Sequence, residues 1–457
     1  MLDWANMEQY RENNRLEAKK AQGGLPHSIW ETYSAFANAY GGMILLGVVE
    51  DKVNKTFSSV PLPSPEQLVA DFWNTLSDPA IVSVNILQQS DVRIVESGGN
   101  RIVVIEVPRA SRRHRPVYIG GDPFTGTYYR NGEGDCRCSA EEVRAMLRDR
   151  ADLLQDSRVQ EKLTAADFDP ESLAAYRAET AAHSGGNWAA LSDMDFLRRA
   201  GAMACDTQGM LRPTAAGILM LGRREAISAA FPRCVLDYQE STAPQNRITT
   251  IEGDWNGNLY TFFRRVCAAL EHTTEDEALR RALREAVVNA LVHADYHSPH
   301  ALVIQKLPRQ LRIANPGAFR VDPMRAMQQG VSDRRNATLA HLFDLMGEGN
   351  SGGLAAIRAL WQEKGWREPE ILETFGPDRT VVTLPLQGPL PPASAAESRC
   401  AAIIDCLTAV PYAQAPAIAA AAGLSLRRTL HYLRLLRKGG VVARKRKNRE
   451  VYYYLSF

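Results

Sequence analysis

The sequence predicts an α+β multidomain chain. Three observations lead there. Short apolar runs bounded by glycines and acids alternate with helical stretches carrying apolar stripes. At 457 residues the chain exceeds a single core and suggests about three domains at roughly 150 residues each. A Pro/Ala/Ser-rich stretch at 388–396 then sets off a short, cation-rich final segment. The hydrophobic fraction of 45% allows each domain a core, and a net charge of only +2 places any nucleic-acid affinity in local patches. Seven cysteines, at 136, 138, 205, 234, 267, 400 and 406, form no disulfide or zinc framework. Neither a secretory leader nor an apolar run of membrane-spanning length is legible, so a soluble cytoplasmic protein without a membrane partner is expected.

The first element is the stretch from Glu12 to Asp51. Residues 15–19 read as a short strand, 28–40 as a helix with Trp30, Tyr33, Ala35 and Phe36 on its apolar face, and 43–49 as a buried strand. Such a unit is expected to put Glu17 and Asp51 on adjacent strands, with Glu12 arriving from a preceding helix and Lys19 nearby. Three carboxylates and a lysine outline a site for a hard divalent cation and a phosphate. Acids at strand ends are also commonly just solvated.

Residues 12–51 resemble the Schlafen AlbA-type domain. The matching stretches are Leu16-Glu17-Ala18-Lys19, Ser34-Ala35-Phe36-Ala37-Asn38 with Gly41-Gly42, and Gly47-Val48-Val49-Glu50-Asp51. The resemblance implies that Glu12, Glu17 and Asp51 hold Mg²⁺ or Mn²⁺ and that Lys19 stabilises the phosphorane. Its spacing is kept over the first gap and is a few residues shorter over the second. The same resemblance extends through Tyr128-Tyr129-Arg130-Asn131-Gly132 and a helix at 140–150, which gives a first domain of 1–152. Strands are expected at 81–88, 92–96 and 101–107. Between strands lies a basic loop in which Arg112, Arg113 and Arg115 are candidate phosphate contacts. Residues 153–278 read as a mostly helical connector that includes Pro213-Thr214-Ala215-Ala216-Gly217, to which no chemistry is assigned.

A second constellation lies in 279–387. One helix carries Glu285, Asn289 and His293 one turn apart. A later strand ends in Asn315-Pro316-Gly317, and Gly347-Glu348-Gly349-Asn350-Ser351-Gly352-Gly353 opens another helix, an arrangement suited to an anion. This segment resembles the C-terminal ATPase-like domain of RecG-like regulators, a branch of the GHKL superfamily, and so implies a GHKL-like α/β sandwich. Glu285 would be the general base, Asn289 the Mg²⁺ ligand, and Asn315 with Gly317 the reader of adenine, while Gly349 and Gly352 would cradle ATP phosphates. The family pattern has Asp where Asn315 stands; an amide oxygen can still accept from an adenine amino group.

Residues 397–457 read as three helices followed by a β-hairpin, a winged helix-turn-helix. Arg427, Arg428 and Arg434 on its third helix, and Arg444, Lys445, Arg446 and Lys447 on the wing, are candidate nucleic-acid contacts. Together these features imply a divalent-metal-dependent endoribonuclease of Schlafen type acting on the transfer RNA class. It would carry a nucleotide-sensing module with weak ATPase activity and a DNA- or RNA-binding winged helix, and would work as a homodimer by family habit. The alternative is a non-catalytic DNA-binding transcriptional regulator with an ATP-binding-like sensor.

Overall fold

The computed structural model describes all residues except 1–14, 52–55, 132–133, 152–154, 186, 242–245, 252–254, 350–351, 377, 387–398, 401, 405, 408–411, 439–440, 448–449 and 456–457. The first unit runs β1 (Leu16–Lys19), α1 (Ile29–Asn38), β2 (Gly42–Leu46), β3 (Val48–Asp51), β4 (Thr56–Ser59), α2 (Pro65–Leu76), β5 (Val92–Ser97), β6 (Asn100–Val107), a short α3 (Pro123–Gly126), β7 (Tyr128–Asn131), β8 (Gly134–Arg137) and α4 (Ala140–Arg150). Its sheet has the order β1-β2-β6-β5, with β1 parallel to β2 and the other pairs antiparallel. The continuous apolar run of β2 makes it the central strand. Ile44 and Leu46 face α1 and α2, whereas Leu45 packs with Val48, Phe57, Ile102 and Val104 on the other face. Trp30 of α1 stacks on Phe72 of α2 at 5.2 Å.

Two expectations for this unit need correction. The strand expected across 43–49 breaks at Gly47, whose φ of +84° and close approach to Leu62 leave no room for a side chain. As a result, the neighbour of Glu17 is Ile44 on β2, while Asp51 lies on β3 opposite Thr56 of β4, in a separate ribbon. No strand forms over 81–88; only Val82 bridges, to Ile119. The hydroxyl of Tyr33 serves this segment instead, accepting from Ile86 N at 3.0 Å and donating to Val84 O at 3.3 Å.

The Ser-Ala-Phe-Ala-Asn stretch proves to be a clamp. Ser34 and Asn38 are one turn apart and buried. Asn38 accepts from Val117 N at 2.8 Å and donates to Val117 O and Tyr128 O, and Ser34 accepts from Tyr128 N. A pair of small polar side chains thereby ties α1 to two distant segments and satisfies their backbone groups.

The second unit contains α5 (Pro170–Ser184), α6 (Asp193–Arg199), β9 (Met203–Cys205), β10 (Leu211–Pro213), α7 (Ala215–Leu221), α8 (Arg224–Ala230), β11 (Leu236–Glu240), β12 (Ile248–Thr249), α9 (Leu259–Glu271) and α10 (Glu277–His293). It continues with β13 (Leu302–Leu307), β14 (Gln310–Pro316), α11 (Pro323–Gln329), α12 (Ala337–Leu345), α13 (Gly353–Glu363), β15 (Glu370–Thr374) and β16 (Arg379–Pro385). The six-stranded sheet has the order β12-β11-β13-β14-β16-β15. β11 and β12 come from the segment expected to be a connector, and one core runs from Phe168 to Leu384 across the boundary expected at 278. The Pro-Thr-Ala-Ala-Gly element is explained by packing. Thr214 caps α7 by accepting from Gly217 N, and a Cβ on Gly217 would stand 2.1 Å from Ala202 O.

Among the described residues of the last segment are β17 (Ala413–Gln414), α14 (Ala415–Ala421), α15 (Leu426–Lys438), β18 (Val442–Lys447) and β19 (Glu450–Leu455). The strands form a sheet of order β17-β19-β18 over a core that includes Ile418, Leu433, Val442 and Tyr453. The linker expected at 388–396 and part of the helix expected at 399–409 lie outside the described residues. No helix among the described residues is long and apolar enough to cross a membrane.

Candidate functional site

Of the acids expected at a metal site, Glu12 lies outside the described residues. Glu17 is held between two cations, with Lys19 Nζ at 3.0 Å from Oε1 and Arg130 Nη2 at 2.7 Å from Oε2. Arg130 is buried, also pairs with Asp135 at 2.7 Å and lies over the Phe36 ring. Lys19 additionally donates to Ser28 Oγ at 3.2 Å. Thus Glu17 and Lys19 come together as expected, while Asp51 sits on the exposed end of β3. Among the described residues no group of three His, Cys, Asp or Glu side chains is placed to hold a metal ion.

The second constellation assembles. Glu285, Asn289, Asn315, Gly317, Gly349 and Gly352 all line one cavity of about 310 Å³. Helix α10 supplies the first two; its start is capped by Asp276, which accepts from Ala278 N and Leu279 N. Glu285 Oε1 accepts from Asn289 Nδ2 at 3.2 Å and from Gly353 N at 3.1 Å, tying α10 to the first turn of α13. Asn315, at the end of β14, stands opposite Thr380 of β16, whose hydroxyl donates to Gly317 O. Asn315 is only 9% exposed, and its Oδ1 is a buried acceptor with no hydrogen-bond partner among the described residues. Such an atom is costly to leave unpaired.

Thr380 and Asp344, which the sequence did not single out, also line the cavity, as does His293, named with Glu285 and Asn289 but given no role. Burial raises the Asp344 carboxyl, against the pull of Arg334. Burial also lowers His293 to about 4, helped by Arg335, Arg320 and Arg334, so the imidazole is neutral at neutral pH. His293 was legible as the third member of the Glu285–Asn289 face; Thr380 and Asp344 carry no local signal. The cavity offers an amide acceptor at the sheet end and a carboxylate, an amide and glycine-loop backbone at the helix end.

The basic loop does something other than expected. Arg109 Nη2 donates to Phe319 O at 2.7 Å and to Glu373 Oε1 at 2.8 Å. Arg112 pairs with Asp333 and donates to Asp149 O. Arg115 is 4% exposed and donates to Phe319 O; burial and the nearby Arg109 lower it to about 10. The expectation that Arg112 and Arg115 contact nucleic acid is therefore corrected. Their guanidiniums dock the first unit onto the second, and of the three only Arg113 is exposed. Tyr40 extends this interface by donating to Glu373 O at 2.6 Å and meeting the Phe375 ring edge-on.

On the last segment, α15 buries Thr429, Tyr432, Leu433 and Leu436 and leaves Arg427, Arg428, His431 and Arg434 exposed. Arg444, Lys445 and Arg446 are exposed on β18; the side chain of Lys447 lies outside the described residues. The cations expected on α15 and on β18 up to Arg446 are thus exposed.

Comparison with known proteins places the first unit in a class. Residues 10–139 match the family model described as Schlafen, AlbA_2, so the chain carries a domain of that class, tied to nucleic-acid-related function. Residues 144–237 match a domain of unknown function (DUF8451). No curated protein matches the chain. Among solved structures, the DIP2311 protein of Corynebacterium diphtheriae is similar at 19% identity over 97% of this chain and 79% of its own, with a TM-score of 0.39. The N-terminal domain of a RecG-related protein from Nitrosomonas europaea is 31% identical over 29% of this chain and 88% of its own, with a TM-score of 0.23.

Proposed function

We propose that this protein binds nucleic acid and senses an adenine nucleotide in the cavity between α10, the end of β14 and the glycine loop. The observation that carries the reading is the convergence of Glu285, Asn289, Asn315, Gly317, Gly349 and Gly352, from α10, the end of β14 and the glycine loop, on one cavity. A purine amino group would donate to the Asn315 amide oxygen, which must turn toward the cavity to accept it. The glycine loop and the start of α13 would face phosphate, and Asn289 with Glu285 would hold a hydrated Mg²⁺. Such an arrangement would be that of a GHKL-type module. Because Glu285 Oε1 is already engaged by Asn289 and Gly353, the reading favours binding over hydrolysis. The last segment reads as a winged helix whose exposed cations grip phosphates, and the pairing of sensor and binder supports a regulator.

The test is a thermal melt of the full chain with Mg-ATP. A ligand that binds only the folded state adds about 2.7 kcal/mol at one hundred times its dissociation constant. A clear rise in melting temperature is expected, and no rise at millimolar ATP contradicts the reading.

A second reading, a Schlafen-type endoribonuclease using Mg²⁺ or Mn²⁺, is favoured by the pairing of Glu17 with Lys19 at the matching positions. It predicts transfer RNA cleavage that is lost both with EDTA and in Asp51→Ala. Persistence of cleavage in either case removes it.

A further inference from the structure

We propose that the first unit braces the wall of the cavity from behind, with Arg109, Arg112, Arg115 and Asp149 as positioning residues for its ligand. Domain docking and ligand binding are then one linked equilibrium. The inference rests on the nucleotide reading above and goes beyond it.

Four residues carry the argument: Phe319, Arg320, Asp333 and Arg335 all line the cavity. Each is also held from the first unit. Arg109 and Arg115 both donate to Phe319 O, at 2.7 and 3.3 Å. Arg112 pairs with Asp333. Asp149, at the end of α4, accepts from Arg320 Nε at 3.1 Å and from Arg335 Nη2 at 2.7 Å. Arg335 in turn donates to His293 O and to Ala318 O, so the same guanidinium joins the first unit to the end of α10 and to the strand exit beside the cavity.

Arg320 and Arg335 have side chains only 7% and 9% exposed. Without Asp149, Arg335 loses the carboxylate it pairs with and Arg320 keeps, among the described residues, only Asp333, at 3.5 Å. An under-compensated buried charge is strongly destabilising and favours a shift of the segment that carries it. Here that segment includes the wall residues after β14 and before α12. A wall that changes with docking must bind its ligand with a different affinity in the docked and undocked states. By reciprocity, the ligand then favours one of them. Since the docked arrangement is the one in which the cavity is formed, the ligand strengthens docking.

The experiment uses the full chain. Mg-ATP affinity is measured by calorimetry for wild type, Arg112→Gln and the control Arg101→Gln, whose ion pair with Glu66 lies on the exposed surface of the first unit. Hydrogen exchange at Ala110 and Arg115 is followed with and without Mg-ATP. Their amides bond to Ala37 O and Ser111 O within the first unit, so a merely structural contact would leave them unmoved by ligand. The expected result is an affinity about fivefold weaker or more in Arg112→Gln, an unchanged control, and slower exchange at both amides when ligand is added. If Arg112→Gln fails to fold, Arg109→Gln takes its place. Wild-type affinity in the variant with unmoved amides overturns the coupling alone. Absence of Mg-ATP binding in wild type overturns the nucleotide reading and the coupling with it.

Discussion

Asn38 shows how a single side chain can set a fold. Its amide satisfies Val117 N, Val117 O and Tyr128 O in a site with 1% exposure. Asn38→Leu removes the side-chain partners of Val117 N and Tyr128 O, leaving Val117 O only Ser34 Oγ, and is expected to cost about 1–3 kcal/mol or more in chemical denaturation. Asp378 lies near Arg115 of the first unit, and its backbone oxygen accepts from Gly317 N. Desolvation raises its carboxyl from 3.8 to about 7; Arg115 pulls it down, while Glu142, Glu373 and Asp149 push it up. The folded chain therefore keeps a proton that the unfolded chain releases between those pH values. Its contribution makes stability fall as pH climbs through that window. Asp378→Asn is expected to melt higher than wild type at pH 8 and to show no such gain at pH 4.

At the scale of elements, much was legible. The helices at 29–38, 140–150 and 277–293 follow from apolar spacing and caps, and Glu285 with Asn289 follows from spacing within one helix, where sequence distance is spatial distance. The stretch 81–88 misled because its apolar residues look strand-like, whereas Val84 O and Ile86 N bond to a tyrosine hydroxyl from α1 and Ile81 O and Ser83 N to residues 118–120. The basic loop misled for a related reason. Its acidic partners Glu373 and Asp333 are more than 200 residues away, so the cations looked unattended. By contrast, the cations of α15 and β18 stay exposed in the structure. Replacing Arg444, Lys445 and Arg446 by Gln should weaken duplex binding on all sequences and flatten its log–log salt dependence by up to roughly 3. An unchanged slope would place nucleic acid elsewhere.

At the scale of the molecule, the first two units are bound through charge. Three arginines and Asp149 of the first unit meet Phe319 O, Asp333, Arg320 and Arg335, which also wall the cavity. The strands expected to belong to a connector instead extend the sheet that presents Asn315, because a six-stranded sheet recruits edges from anywhere in the chain. The proposed sensing depends on a nucleotide entering that cavity. The most direct measurement is a calorimetric titration of Mg-ATP into wild type and Asn315→Leu. The account predicts one saturable site per chain in wild type and binding at least roughly tenfold weaker in the variant, a loss of about 1.4 kcal/mol. Identical isotherms for the two proteins, or no heat of binding in either, would contradict it.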